Sequence, residues 1–348
     1  MRDPIVVGGK TIRPGTREYV ELAIPELYTH TSMTMPVHVI HGKKTGPVLF
    51  LAGALHGDEI NGVEIIRRVL NHRSMARLAG TVMAVPIVNI YGFINKSRYL
   101  PDRRDLNRSF PGSEKGSLAA RTANLFLTEI VSKCSHGIDL HTGAIHRENL
   151  PQIRALLDDP ETERMARAFA VPVILNTSIV PGSLREEVEK MGTSVIVYEA
   201  GEALRFDEVS IRAGTNGVLA VFRELGMLPK IRRKKPPTRP LVARSSTWLR
   251  APQSGILRAV KPLGARVSKN ELLGIVSDPF GESTQKVLAS ADGIIIGRTT
   301  IPLVNEGEAL FHIARFKSAD SVMDTLEEFQ YEMDPTTDEK PPAEPPIV

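Results

Sequence analysis

The most regular pattern in the chain is an alternation of short apolar runs with segments of helical periodicity. The runs are typical of strands that are buried on both faces of a sheet. They lie at residues 48–55, 81–88, 137–141, 171–175 and 194–199. Ile60, Val63 and Ile66 recur at helical spacing after the first run, and helical patterns also cover residues 118–133 and 158–169. The alternation predicts an α/β fold in which helices cover both faces of a sheet.

The last third of the chain changes to short β-rich stretches that are separated by glycine turns. A weak repeat with an offset of 38 residues is visible there, since residues 254–257 match 292–295 and residues 271–276 match 309–314. Two similar units of this kind predict a small β domain with pseudo-twofold symmetry over residues 245–318.

Two further segments have the composition of connectors. Residues 230–244 begin with a basic run that contains prolines and no aromatic residue, which favours a solvated linker over a nucleic-acid surface. Residues 319–348 are acidic, and from about residue 333 they are also rich in proline, so we expect disorder there. The remaining part, residues 1–229, forms the predicted main domain.

The composition of the chain excludes several classes of protein. The chain has 348 residues, of which 42% are hydrophobic and 24% charged, as is usual for one or two globular domains. A single cysteine, Cys134, excludes an internal disulfide and a cysteine-rich zinc module. No apolar run approaches the roughly 20 residues that cross a bilayer, and the N-terminus has no secretory pattern. We therefore expect a cytoplasmic protein with no membrane partner.

The net charge of +4 is unevenly distributed. The segment from Asp320 to the end has nine acidic residues and one lysine, so it carries −8 and the rest of the chain +12. A basic body can indicate nucleic-acid binding. Here the densest basic cluster lies in the predicted linker, so we expect no nucleic-acid partner.

The first candidate site follows a buried strand. His56 and Glu59 lie directly after residues 48–55, where the helical pattern begins. Ligands of open α/β sheets bind at the carboxyl ends of the strands. Imidazole and carboxylate are a zinc-compatible pair, and a spacing of three lets both point to one side of a turn. By itself a match of this length also arises by chance.

His141 is the candidate for a third ligand, because it also ends an apolar strand. Asp139, two residues earlier, shares its strand face, and a carboxylate beside a ligating histidine fixes the tautomer of the ring. The alternative is that His141 merely ends a strand. Two histidines and one glutamate leave a fourth zinc position for water, as in catalytic zinc sites.

Two other features add catalytic groups at the same edge of the sheet. Glu199 ends the run 194–199, and we interpret it as a general base, with a structural ion pair as the alternative and Glu202 as a second choice of base. The loop at residues 89–112 is polar and rich in arginine. Its guanidinium groups suit a substrate carboxylate or a polarised carbonyl, although an arginine-rich loop can equally be solvated.

Together these motifs resemble the succinylglutamate desuccinylase/aspartoacylase family, which is related to the zinc carboxypeptidases. The resemblance covers roughly residues 45–225 and rests on four separated motifs in the expected order. These are GALHGDE at 53–59, DLNR at 105–108, DLH at 139–141 and Glu199. The family implies a zinc-carboxypeptidase-like mixed sheet flanked by helices. The repeat after it resembles the lipoyl/biotinyl-like β fold, and we expect that domain to shape access to the zinc site.

The resemblance also implies roles for individual residues. One zinc ion per chain is held by three ligands, which are His56, Glu59 and His141. Glu199 activates the water, Asn107 and Arg108 bind the substrate carboxylate, and Arg98 polarises the scissile carbonyl. The interval from Arg98 to Asn107 is about two residues longer than in aspartoacylase itself. This difference leaves Arg103 and Arg104 as rivals of Arg98, and it argues against aspartoacylase as the specific activity.

The predicted function is zinc-dependent hydrolysis of the amide bond of a small N-acyl amino acid, such as an acetyl or succinyl derivative. Bacterial relatives of this family remove such groups from several amino acids, including acetylated diaminobutyrate. One alternative is a zinc carboxypeptidase that acts on short peptides. Another is a binding module without metal that has a degenerate hydrolase fold. A homo-oligomer is compatible with every one of these hypotheses.

Overall fold

The structure is a computed structural model that describes residues 2–231, 240–317 and 320–334. The centre of the predicted linker, residues 232–239, lies outside the described residues, as does the predicted disorder beyond residue 334. No helix within the described ranges is both long and apolar enough to cross a membrane.

The first part of the chain alternates strands and helices. Its strands are β1 (Ile5–Val7), β2 (Lys10–Ile12), β3 (Thr16–Ile24), β4 (Met33–His41), β5 (Lys44–Gly53), β6 (Ala79–Val85), β7 (His136–Gly143), β8 (Arg147–Ala155), β9 (Val173–Asn176) and β10 (Ser194–Glu202). Its α-helices are α1 (Asn61–Asn71), α2 (Ile90–Ile94), α3 (Leu118–Glu129), α4 (Pro160–Phe169), α5 (Leu184–Lys190) and α6 (Glu208–Glu224). Short 3-10 helices lie at Arg73–Arg77, Leu106–Arg108 and Val131–Lys133.

The second part is formed by strands and one terminal helix. Its strands are β11 (Leu241–Ala243), β12 (Ser245–Arg250), β13 (Gly255–Ala259), β14 (Arg266–Val267), β15 (Leu272–Ser277), β16 (Thr284–Leu288), β17 (Gly293–Thr299), β18 (Leu303–Val304) and β19 (Ala309–Arg315). The terminal helix is α7 (Asp320–Met333).

One large mixed sheet organises the molecule, in the order β12-β19-β17-β8-β10-β7-β5-β6-β4-β3. Its centre, β10-β7-β5-β6, is parallel, and the outer pairs along this order are antiparallel. Side chains of β5 alternate between two cores. Leu49 and Leu51 belong to the core that contains α1 and α6, whereas Phe50 packs edge-on against Phe126 of α3 at 6.0 Å. The predicted sheet with helices on both faces is therefore confirmed.

The β-rich part has the predicted internal symmetry. β13 pairs with β15 in one repeat, and β17 pairs with β19 in the other. Each repeat also gives its short strand to the other repeat, because β14 pairs with β17 and β18 pairs with β13. At each exchange a valine lies opposite a glycine, Val267 opposite Gly293 and Val304 opposite Gly255.

Strand pairs and helix contacts cross the predicted limits between the parts of the chain. β11 lies inside the range predicted as linker, where its apolar residues pair in parallel with β9 and extend the sheet. β17 pairs directly with β8, so the β-rich part shares the large sheet with the first part. The acidic segment begins with α7, which packs on the molecule through two buried residues. Phe329 lies in the core that contains α1 and α6, and Leu326 lies in a second core, which includes residues of β9 and β17.

Candidate active site

A cavity of about 460 Å³ lies at the carboxyl ends of the central parallel strands, where the sequence places its candidate residues. Both parts of the chain line it, since most of its wall comes from the first part and Trp248 comes from β12. Its charged lining residues are His56, Glu59, Asp139, His141, Glu199, Arg98, Arg108, Arg147, Arg154 and Arg185.

The three predicted metal ligands come together in this cavity. His56 follows β5, Glu59 precedes α1, and His141 lies in β7. One ligand atom from each residue lies within 4.8 Å of the others. Glu59 stands between the two rings, with Oε1 2.8 Å from His56 Nδ1 and Oε2 2.7 Å from His141 Nδ1. All three residues are buried.

The other nitrogen of each imidazole, Nε2, contacts the carboxylate of an aspartate. His141 Nε2 lies 2.8 Å from Asp139 Oδ2, and His56 Nε2 lies 3.2 Å from Asp105 Oδ1. Such contacts fix ring orientation and tautomer, so that Nδ1 of each ring is the nitrogen available for a metal. The sequence predicted the contact of Asp139. Asp105 belongs to the DLNR motif, but nothing in the sequence indicates its contact with His56.

The electrostatic balance of the cluster keeps Glu59 ionised. Burial alone would raise the pKa of Glu59, but the neighbouring imidazoles of His56 and His141 hold it well below its usual range. Burial alone would lower the pKa of His141, but the Asp139 and Glu59 carboxylates raise it well above its ordinary value. The pKa of His56 is raised in the same way, against burial, by Glu59 and by its hydrogen bond to Asp105. The site therefore retains the carboxylate that a divalent cation requires.

The donor set fits zinc. Two imidazole nitrogens and one carboxylate converge on one point, and each imidazole is oriented by a carboxylate on its other nitrogen. This combination of nitrogen and oxygen ligands, with three protein residues, is the one used by catalytic zinc sites.

The turn between β5 and α1 depends on one glycine. A backbone hydrogen bond of 3.1 Å from Glu59 N to His56 O closes the turn and places both side chains on one side. A Cβ atom on Gly57 would lie 2.0 Å from the carbonyl carbon of Gly92 in α2. Only glycine allows this close approach, so Gly57 lets the loop that carries the ligands pack against α2.

Arg98 is the one of the three rival arginines that lines the cavity. Its Nη1 lies 3.3 Å from Glu59 Oε1, and its Nη2 lies 2.9 Å from Asp105 Oδ2. Arg103 and Arg104 are exposed, and neither belongs to the cavity lining. The geometry therefore favours Arg98 over its rivals for contact with a substrate.

Asn107 and Arg108 also line the cavity. They belong to a 3-10 helix, which Asp105 caps by accepting a hydrogen bond of 2.8 Å from Asn107 N. Asn107 Oδ1 accepts a hydrogen bond of 2.9 Å from Leu184 N. The Asn107 amide group and the Arg108 guanidinium are thus donors beside the cavity, as recognition of a carboxylate requires.

Glu199 reaches the cavity from β10, where its Cα is paired with that of His141 on β7. Its Oε2 lies 2.9 Å from Arg154 Nη2 and accepts a hydrogen bond of 3.0 Å from Asn149 Nδ2. The alternative base, Glu202, does not belong to the cavity lining, and its Oε1 accepts a hydrogen bond from His146 N. Of the two candidates, Glu199 is the one beside the metal-ligand cluster.

Comparison with known proteins agrees with this geometry. The family model named succinylglutamate desuccinylase/aspartoacylase catalytic domain matches residues 45–225, which is more than half of the chain. The chain belongs to this family. The resemblance inferred from the four motifs is therefore confirmed, and the matched range contains the ligand cluster, the arginine-rich loop and Glu199.

Three relatives illustrate the similarity. The N-alpha-acetyl-L-2,4-diaminobutyric acid deacetylase of Halomonas elongata is 26% identical over 297 residues, which cover 81% of this chain and 86% of the relative. A succinylglutamate desuccinylase/aspartoacylase structure from Rhodobacter sphaeroides has a TM-score of 0.79 at 23% identity, over 91% of this chain and 97% of that one. A product-bound structure of the ectoine utilization protein EutE (DoeB) from Ruegeria pomeroyi has a TM-score of 0.78 at 24% identity, over 90% and 96%. Both structures share the fold of this chain.

In this member of the family, sequence reasoning missed part of the cavity wall. The missed residues are Asn149, Arg147, Arg154, Arg185 and Trp248. Arg185 is held by Thr177 Oγ1, at 2.8 Å, and Arg147 lies over the Trp248 ring at 5.3 Å. None of them belongs to a motif with a recognisable spacing, since they come from β8, α5 and β12. The only available signal was that Trp248 is the single tryptophan of the chain.

Proposed function

We propose that the chain is a zinc-dependent hydrolase that cleaves the amide bond of a small N-acyl amino acid, with acetyl or succinyl as the acyl group. The observation that carries the proposal is the convergence of His56, Glu59 and His141 within 4.8 Å, in a cavity that also contains arginines and Glu199. The name of the Halomonas elongata relative, a deacetylase of an N-acetyl amino acid, supports the same class of reaction.

The metal would be held by His56 Nδ1, His141 Nδ1 and the Glu59 carboxylate, with Asp105 and Asp139 holding the two rings. When bound, zinc supplies Lewis-acid chemistry that polarises a carbonyl and lowers the pKa of a water molecule. The chain supplies the remaining groups of the reaction from the arginine-rich loop and from β10.

The substrate carboxylate is bound by the Arg108 guanidinium and the Asn107 amide group. Arg108 forms no ion pair with a described residue, so its charge is available to a substrate. Arg98 donates to the carbonyl oxygen as negative charge develops on it, an interaction worth roughly 3–4 kcal/mol in comparable sites. Binding and charge stabilisation thus come from the same loop.

Glu199 acts as the general base and then as the general acid. It accepts a proton from the attacking water as the new bond from oxygen to the acyl carbon forms. It then donates that proton to the amide nitrogen as the carbon–nitrogen bond breaks. The second proton of the attacking water leaves the new carboxyl group and is taken up by the amine. The products are a carboxylate and an ammonium group, so atoms and charges balance.

We also propose that residues 245–318 have a lipoyl/biotinyl-like fold and shape access to the catalytic site. The exchange of short strands between the two repeats supports this fold. The position of Trp248 in the cavity wall supports the role in access.

The test combines metal analysis with a substrate panel. Purified protein should contain about one zinc ion per chain, release the amine from at least one N-acetyl or N-succinyl amino acid, lose activity with a chelator and regain it with zinc. Hydrolysis of dipeptides without hydrolysis of N-acyl amino acids would instead identify a carboxypeptidase. Protein without zinc that added zinc does not activate would favour the binding module.

A further inference from the structure

A local irregularity in the sheet lies next to Glu199. The Cα of Glu199 is paired with that of Gln152 on β8, and Gly201 is paired with Asn149. Two steps along β10 therefore match three steps along β8, which is a β-bulge. Residues an odd number of positions apart point to opposite faces of a regular strand. Because of the bulge, Asn149 and Arg154, five positions apart, both line the cavity.

Two polar side chains of β8 meet the same oxygen of Glu199: the regular register places Arg154, paired with Val197, on the face of Glu199, and the bulge adds Asn149. Arg154 Nη2 lies 2.9 Å from Oε2, and Asn149 Nδ2 donates a hydrogen bond of 3.0 Å to the same atom. No hydrogen bond from a described residue reaches Oε1. One carboxylate oxygen is thus fixed by the strand beside it, and the other is left for a reacting molecule.

The geometry of the ion pair differs from that of a pair built for stability. Arg154 is not joined to Glu199 by the two parallel hydrogen bonds of a bidentate pair, and its Nε is buried without a hydrogen-bond partner among the described residues. The side chains are 31% and 16% exposed, so water screens part of the attraction between the two charges. The arrangement fixes where the carboxylate lies.

We infer that Arg154, assisted by Asn149 across the bulge, is a positioning residue that fixes the Glu199 carboxylate so that Oε1 is the oxygen that exchanges protons. The inference rests on the proposed function, because it assigns a role relative to the proposed base. Arg154 acts through Glu199 and does not bind the substrate. β-Bulges commonly redirect side chains beside active sites in this way.

A double-mutant cycle tests this inference. It compares wild type, Arg154→Ala, Glu199→Gln and the double variant on the best substrate of the panel. Arg154→Ala should lower kcat roughly 10- to 100-fold, as expected for a misplaced catalytic group, and change KM by less than about threefold. In the Glu199→Gln background the same substitution should cause no further loss. Arg154→Lys, which keeps a charged donor, should recover part of kcat.

The matched control is Arg147→Ala. Arg147 lies on the same strand and lines the same cavity, but it contacts Trp248. Its effect on kcat or KM should therefore be the same in the wild-type and Glu199→Gln backgrounds. Thermal unfolding of each variant checks that the fold is retained. If Arg154→Ala raises KM and leaves kcat unchanged, or if its loss is fully additive with Glu199→Gln, the positioning role is overturned.

Crystal structures of wild type and Arg154→Ala give a readout that does not depend on activity. Glu199 should occupy one position in the wild type and a displaced position, or several, in the variant, whereas Arg147→Ala should leave it in place. An unchanged Glu199 in Arg154→Ala overturns the inference. If the wild type hydrolyses nothing in the panel, the proposed function fails, and the crystal structures still decide whether Arg154 positions Glu199.

Discussion

Asp105 and Asp139 determine which nitrogen of each histidine is free to bind a metal. Each carboxylate accepts a hydrogen bond from Nε2 of its histidine, which leaves Nδ1 directed toward Glu59 as the nitrogen that would exchange its proton for a metal. In the proposed zinc site the two aspartates would orient the ligands before any metal arrives, so we expect much of the metal affinity to depend on residues that do not touch the ion.

Asp139→Asn tests this dependence. The amide keeps the size of the side chain and removes the charge that holds the His141 ring, so we expect zinc affinity to fall roughly 10- to 100-fold. Competition with a chelator of known affinity measures the change. Asp102→Asn is the matched control, because Asp102 accepts a hydrogen bond from Ala119 N and contacts neither zinc-ligand histidine. Equal zinc affinity in both variants would contradict the role of Asp139.

Arg108→Ala tests the proposed carboxylate site. Removal of the guanidinium should raise KM roughly 10- to 100-fold, which is the usual worth of a charged hydrogen bond, and should change kcat far less. Steady-state kinetics on an N-acyl amino acid measure both constants. Arg104→Ala removes an exposed arginine of the same loop that does not line the cavity, so its KM should stay at the wild-type value. An unchanged KM in Arg108→Ala would exclude this arginine as the carboxylate ligand.

At the scale of elements, the site depends on how closely the loop after β5 can approach α2. The backbone at Gly57 lies against the backbone at Gly92, and a hydrogen bond from Gly92 N to Asn89 Oδ1 holds the first turn of α2 in place. Since α2 begins the arginine-rich loop, this contact sets the distance between the metal ligands and the arginines.

Gly57→Ala should therefore damage both stability and metal binding. A methyl group at this position meets backbone atoms that cannot rotate away, so we expect a loss of about 1–3 kcal/mol in the free energy of unfolding and weaker zinc binding. Urea unfolding and zinc titration measure the two effects. Gly192→Ala is the control, since its φ of +71° strains a side chain but no atom lies within 4 Å of a Cβ there. It should cost about 1 kcal/mol and leave zinc affinity unchanged.

The sequence predicted those parts of the structure that depend on local patterns of apolar and polar residues. Continuous apolar runs predicted the buried strands, and the positions of His56 and His141 after or within them predicted that their side chains meet. The contact of Arg154 with Glu199 was not predictable in this way, because it depends on strand order and on the register of β8 against β10. Neither feature leaves a period or a motif in the sequence.

At the scale of the whole molecule, the β-rich part completes the cavity. β17 continues the large sheet beyond β8, and this places β12 and its Trp248 at the cavity wall. Trp248 stacks on His312 of β19 at 4.6 Å, with an angle of 11° between the rings. The two parts of the chain therefore depend on each other, and the stacked pair lies where they meet.

His312 makes this junction sensitive to acid. Burial, together with the charge of Arg154, lowers the pKa of His312 from 6.5 to about 3. The folded protein therefore holds His312 in its neutral form. Between pH 6.5 and 3 only the unfolded chain gains the proton, so the contribution of His312 to stability is complete above pH 6.5 and declines as the pH falls toward 3.

His312→Phe keeps an aromatic ring against Trp248 and removes the titration. In urea unfolding with chelator present, the stability of wild type should fall more steeply than that of the variant below pH 6, by up to about 1.4 kcal/mol per pH unit. Parallel curves for the two proteins would show that folding does not lower the pKa of His312. In that case acid would not weaken the junction through this residue.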